Sequence, residues 1–213
     1  MKKSILFLLL IISITLITAI NCADVNYERT IIMYNKKGEI IKIYKIDDVH
    51  KGLMLSYIEY AKIEGLDEIN ELEELWLTHN NLTKIEGLDK LTELEYLIIG
   101  GNIITKIKNL DHLTKLKSLS IGYNQINKIE GLDNLINLKE LYLSDNKITM
   151  IEGLSNLKML TSLSLDGNRL TKINGLDGLK KLTDVEVGKN RLTPKEQRIA
   201  EKQYPEITFD FSQ

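Results

Sequence analysis

The side chains that could do covalent or metal chemistry are few in this 213-residue chain, and their spacing keeps them apart. His50, His79 and His112 are widely separated and none sits in an H-E-x-x-H motif, the spacing that puts two imidazoles on one helix face around zinc. Cys22 is the single cysteine and has no histidine nearby to serve as the base that a thiol nucleophile needs. It also excludes a disulfide within one chain. No G-x-S-x-G elbow, phosphate loop or dinucleotide fingerprint is present. The carboxylates recur at fixed intervals, which makes them a solvated ladder rather than an acid/base pair. Asn81-Leu82-Thr83 fits a glycosylation acceptor, which matters only on a eukaryotic secretory route. The sequence therefore predicts no enzyme activity, no cofactor and no metal site, and leaves binding as the function to look for.

The elements that must carry any binding surface follow from a shift of 22 residues, at which the chain matches itself. Leu72, Leu94, Leu116, Leu138, Leu160 and Leu182 open successive units. The next column is Leu75, Leu97, Leu119, Leu141, Leu163 and Val185, and two residues on come Leu77, Ile99, Ile121, Leu143, Leu165 and Val187. Apolar pairs spaced by two predict a short strand in each unit. Asn80, Asn102, Asn124, Asn146, Asn168 and Asn190 follow each strand, then a Leu or Ile two residues later. A buried Asn is costly unless its donors and acceptor all find partners, and the backbone of neighbouring coils can supply them. Gly65, Gly87, Gly131, Gly153 and Gly175 predict a tight convex turn, with Asn109 as the one replacement, and Asp67, Asp89, Asp111, Asp133 and Asp177 predict side-chain caps on a short helical turn. No single unit could bury its strand, so stability must be shared between neighbours.

These columns read L-x-x-L-x-L-x-x-N-x-L and resemble the leucine-rich repeat. The second half, as in Ile85-Glu86-Gly87-Leu88-Asp89-Lys90-Leu91, is similar to the 22-residue subclass that includes bacterial internalins and a regulatory subunit of protein phosphatase 1. The resemblance covers roughly residues 50–193 and implies an α/β repeat solenoid with a parallel sheet on its concave face. Within that span, residues 50–71 form a degenerate unit in which Ile58 takes the Asn position, so a ladder partner is expected to be lost there, and six further units follow, the last partial.

The ends read as caps. Residues 22–49 hold a tether and two alternating runs around Asn35-Lys36-Lys37-Gly38, which predict a β-hairpin covering the N-terminal end. Residues 194–213 form the C-terminal cap. Thr193-Pro194-Lys195-Glu196 has capping-box spacing, so a helix is expected to about Tyr204, with Ile199 and Tyr204 on its inner face and Pro205 stopping it.

Residues 1–21 have the layout of a signal peptide: Lys2 and Lys3 precede an apolar run from Ile5 to Ile20 that is short for a membrane span. Thr18-Ala19-Ile20-Asn21-Cys22 resembles a bacterial lipobox, of the relaxed kind found in spirochaetes, with Asn21 where Gly or Ala is usual. That resemblance implies lipidation of Cys22, a membrane contact through the lipid anchor, and an exported protein of the cell envelope. Plain cleavage near Ala19 or Ala23 with secretion, and an uncleaved anchor, are the alternatives. Basic residues number 28 against 30 acidic, a net charge of -2 that becomes -4 once Lys2 and Lys3 are removed, and neither value predicts a nucleic-acid partner.

Side chains alternate along a strand, so the residues flanking each inward Leu project onto the concave face. There Met54, Trp76, Tyr96, Ile98 and Tyr142 gather on neighbouring strands, with His79 and Tyr123 at the strand ends. Exposed Trp and Ile are not needed to build a solenoid, whereas Trp and Tyr dominate many interfaces. These seven residues are the candidate site for a protein ligand, a host or cell-surface protein, bound by a monomeric recognition module. A phosphatase-regulator-like scaffold or a structural envelope protein is the alternative.

Overall fold

The computed structural model describes residues 29–46 and 51–212. The expectations for Cys22, His50 and the leader lie outside the described residues. The repeats form a solenoid in which each 22-residue coil contributes one three-residue strand: β3 (Gly52–Met54), β5 (Glu74–Trp76), β6 (Tyr96–Ile98), β7 (Ser118–Ser120), β8 (Glu140–Tyr142), β9 (Ser162–Ser164) and β10 (Asp184–Glu186). With β11 (Thr208–Asp210) they make an eight-stranded parallel sheet in sequence order. The middle residue of every strand from β5 to β10 is inward and buried, and Leu94, Leu97, Leu116, Leu119, Leu138, Leu141, Leu160 and Leu163 have no solvent exposure at all. One continuous core thus runs the length of the molecule.

The Asn column does the work its sequence position predicts. Asn124 donates through Nδ2 to the carbonyls of Ile99, Ile121 and Gly122 at 3.0 to 3.3 Å, and its Oδ1 accepts from the Ile104 N–H at 2.9 Å. Asn102, Asn146 and Asn168 repeat this pattern. At the degenerate coil Asn80 still donates to Leu55 O and its Oδ1 accepts from Ile58 N, while the amide that an Asn at position 58 would add to the ladder is lost, as expected.

The convex turns are left-handed at Gly65, Gly87, Gly131, Gly153 and Gly175, and at Asn109, whose φ is 61° and whose Nδ2 donates to Ile85 O. The expected Asp caps are corrected: among the described residues Asp67, Asp89, Asp111, Asp133 and Asp177 cap no helical turn of the repeats. The short helical turn Leu66–Glu68 is capped by Gly65, without a side-chain bond, so Asp67 is not its cap. Asp177 instead accepts from the Tyr204 hydroxyl and helps seat the C-terminal cap.

The hairpin of β1 (Arg29–Tyr34) and β2 (Ile40–Ile46) forms as expected, with Asn35 Oδ1 accepting from Lys37 N and Glu39 N to close the turn. Its docking is less obvious from sequence. β1 pairs antiparallel with β4 (Lys62–Glu64), on the far side of the first coil from β3. Ile31 and Met33 are fully buried there, and Arg29 grips Glu71 with two bonds of 3.0 Å. A Cβ on Gly65 would stand 2.0 Å from Thr30 O, so only glycine lets the hairpin approach this closely.

At the other end, helix α1 (Pro194–Gln203) starts with Thr193 Oγ1 accepting from Glu196 N, as the capping signature predicts. Its inner face is Ala200, with Tyr204 just beyond the end. Ile199 is 42% exposed, a correction to the expected inner face: the helix is rotated so that the small residue meets the coil. The chain then returns as β11, unforeseen because a three-residue Thr-Phe-Asp strand has too little periodicity to announce itself.

Candidate functional site

Parallel pairing in strict register puts the outward residues of the sheet in rows across the strands. One row is Met54, Trp76, Ile98, Ser120, Tyr142, Ser164, Glu186 and Asp210; its neighbour is Gly52, Glu74, Tyr96, Ser118, Glu140, Ser162, Asp184 and Thr208. Met54, Trp76 and Ile98 are therefore immediate neighbours at about 4.8 Å per strand, with Tyr96 beside Trp76. Tyr142 stands two strands beyond Ile98, across Ser120. The sequence-derived patch is one surface rather than scattered residues.

Exposure differs among its members. Met54 is 69% exposed, Tyr123 66% and Tyr96 37%, whereas Trp76, Ile98 and Tyr142 are half-buried. The reason for Trp76 is local: a Cβ on Gly52 would lie 3.3 Å from its Cζ3, so the indole leans over the glycine of β3. Its ring thereby rests against the sheet, which is why Trp76 is half-buried.

The residues at the strand ends have a backbone role that their sequence positions do not announce. Tyr57, His79, Gly101, Tyr123, Asp145, Gly167 and Lys189 all have φ between 50° and 65°. Only two of these are glycine, and for the rest this conformation costs about 1 kcal/mol or more each. Their side chains use it to pack on one another along the solenoid. His79 stacks on Tyr57 with centroids 4.5 Å apart, and its ring covers the place where a Cβ on Gly101 would stand. Tyr57, 73% exposed, thus joins the candidate site beside His79. The signal was its place in the same column. The Asp145 carboxylate beside Tyr123 raises the pKa of its hydroxyl.

Charge divides the face. Beyond β7 it carries Glu140, Asp166, Asp184, Glu186 and Asp210. Asp166 shows how crowded they are: burial pushes its carboxyl above the ordinary aspartate range, and Glu186 and Asp210 push it further, while the 2.6 Å bond from Gly188 N opposes them. The Tyr142 hydroxyl is likewise pushed up, by burial first and then by Glu140. Ser144 and Ser164 join hydroxyls at 2.6 Å, and Ser56 and Thr78 at 2.8 Å, so small polar residues pair across the floor at both ends of the patch.

The remaining histidine with chemistry in view, His112, bonds Leu88 O through Nε2 on the convex side, remote in sequence and in coil from His79. Among the described residues no group of three or more His, Cys, Asp or Glu is arranged to hold a metal ion. No helix there is long and apolar enough to cross a membrane.

Comparison with known proteins agrees with the repeat fold. A model of paired leucine-rich repeats matches residues 70–112 and 114–156. An internalin (inlF) of Listeria monocytogenes is 28% identical with a TM-score of 0.65, over 73% of this chain and 46% of that one. A leucine-rich-repeat protein of Leptospira interrogans is 30% identical with a TM-score of 0.63, over 69% and 39%. Internalin C2 of Listeria monocytogenes is 27% identical with a TM-score of 0.52, over 67% and 73%. The chain spans less than half the length of the first two. No curated protein sequence matches it significantly. The chain is a solenoid of leucine-rich repeats with the fold of internalin-like structures, a fold that generally serves as a non-enzymatic interaction scaffold.

Proposed function

We propose that this protein is an exported recognition module, held at the cell envelope through its N-terminus, which binds a protein ligand on the concave face. The observation that carries the reading is the gathering of Met54, Trp76, Tyr96 and Ile98 on three adjacent strands of the concave face, with exposed Tyr57 and His79 at their ends. Pre-fixed aromatic side chains lose little entropy on binding and bury large areas, which suits them to anchor a partner. The carboxylates beyond β7 favour a ligand with basic groups at that end, since like charge there would be repelled. The leader supports export, and the lipobox-like segment supports a lipid anchor at Cys22. Similarity to internalins supports the binding class and leaves the ligand to be found by experiment.

The reading is tested by replacing Tyr96 with a photo-crosslinking amino acid in the full chain, on cells of the native host, and identifying the adduct. A repeated adduct with one protein, lost when the crosslinker is moved to Lys172 on the outer surface, is expected. Equal adducts at both positions would refute a concave-face site.

A further inference from the structure

The N-terminal hairpin turns an apolar face away from the solenoid. Register places Ile32 opposite Ile43 and Tyr34 opposite Ile40, while the intervening Ile31 and Met33 face the core and are fully buried. Ile40, Ile41 and Ile43 are 39%, 41% and 54% exposed, Ile41 standing where the register shifts. They lie on β2, an edge strand of the three-stranded sheet β2-β1-β4. Proteins ordinarily protect such an edge by shortening it or by charging its side chains; here Lys42 and Lys45 share the strand with three isoleucines that stand in the open.

Charge is segregated to the same element. Within residues 29–46, Arg29 is taken up by Glu71, and Lys36, Lys37, Lys42 and Lys45 stand against one acid of the segment, Glu39, whereas residues 47–213 hold 21 basic and 27 acidic residues, a net of -6. Lys36 and Lys37 are exposed at the hairpin tip, next to the isoleucines.

We propose that this face of the hairpin is a contact surface for the interface of an anionic lipid bilayer. The isoleucines enter the boundary between headgroups and acyl chains, and the lysines meet lipid phosphates. An apolar strip flanked by lysines is what such an interface requires, since burial and electrostatic attraction act together there. A second copy of this chain is the poorer occupant, because pairing β2 with β2 would bring together two hairpins, each with four lysines against one glutamate. Six residues separate Cys22 from Arg29, a reach of about 20 Å at full extension, so an N-terminus held in a bilayer keeps the hairpin at its surface. The contact orients the solenoid on the membrane and is independent of what the concave face binds; it draws on the anchor only for proximity.

The test uses the full chain with Cys22→Ser and a single new cysteine, Ile41→Cys, carrying an environment-sensitive fluorophore, and a second protein labelled at Lys172→Cys. Vesicles of phosphatidylcholine alone are compared with vesicles that also contain phosphatidylglycerol. The label at 41 should shift to the blue and gain intensity only with phosphatidylglycerol, and the label at 172 should not respond. Lys36→Glu with Lys37→Glu should weaken that response at least about twentyfold. Four results would overturn the inference: no response at 41 with anionic vesicles, equal response with both lipids, equal response at 172, or the same response without vesicles as protein concentration rises, which would mean that a second copy covers the face.

Discussion

Replacing Asn124 with leucine tests whether the Asn ladder is a structural device, and bond counting sets the size of the effect. Each carbonyl that Asn124 reaches keeps another donor after the change. Ile99 O retains Asn102 Nδ2, Ile121 O retains Asn146 Nδ2, and Gly122 O retains Gly101 N. The Ile104 N–H is different, since the Oδ1 of Asn124 is its acceptor and leucine offers none. Leaving one buried N–H without a partner costs about 1 to 3 kcal/mol, and thinning three shared carbonyl bonds adds roughly 1 kcal/mol. Leucine has the same branched shape and is somewhat larger, so no cavity forms. The expected loss is about 3 kcal/mol, or a fall in melting temperature of roughly 6 to 12 °C for a domain of this size. Urea denaturation followed by circular dichroism measures it. A loss below about 0.5 kcal/mol would mean that water or a backbone shift satisfies Ile104 N, and that the Asn side chains do not hold the coils together.

Other substitutions probe other links. Leu119→Asp, at a site with no solvent exposure, should weaken the whole array, because coils are stabilised by their neighbours; hydrogen exchange unchanged in the coils of β5 and β10 would contradict this. Gly131→Ala should cost about 1 to 2 kcal/mol, since φ is +69° and a Cβ would stand 2.5 Å from Ile107 O, and thermal melting reads the loss. Asp166 has a folded-state pKa raised above its unfolded value, so its ionisation opposes folding. Its contribution is most favourable below the unfolded pKa and declines as pH rises through the folded one. Asp166→Asn, which keeps an acceptor for Gly188 N, should therefore gain stability relative to wild type above that range and show no gain well below it, in a pH series of urea titrations.

The repeat was legible because the solenoid forces each coil to solve the same packing problem. Leu119 and its equivalents must be apolar and Asn124 must be Asn, so chemistry recurs at a fixed interval. The rows of the concave face followed directly from that register, which is why Met54, Trp76, Tyr96 and Ile98 could be placed together. Features outside the repeat were less visible. Whether Ile199 or Ala200 faces the last coil depends on helix rotation, which one short amphipathic segment does not fix. The docking of β1 against β4 is a long-range pairing with no local signal. The left-handed column was hidden for a different reason: Tyr57, His79, Tyr123 and Asp145 occupy a backbone conformation for which sequence rules expect glycine, and at Tyr57 and His79 the rings stack along the solenoid.

The central claim, that the concave aromatic patch anchors a protein ligand, is tested most directly by comparing affinities for the protein identified by crosslinking. Trp76→Ala and Tyr96→Ala should each lose about 2 kcal/mol of binding, roughly thirtyfold in Kd. Lys84→Ala and Lys128→Ala remove only exposed lysines that face Glu86 and Glu152 on the outer surface, and should bind like wild type. All four should keep the wild-type circular dichroism spectrum, since none alters an inward leucine. If the concave pair binds like wild type while the lysine pair loses affinity, the aromatic patch serves packing alone and the binding site lies on the outer edge of the solenoid.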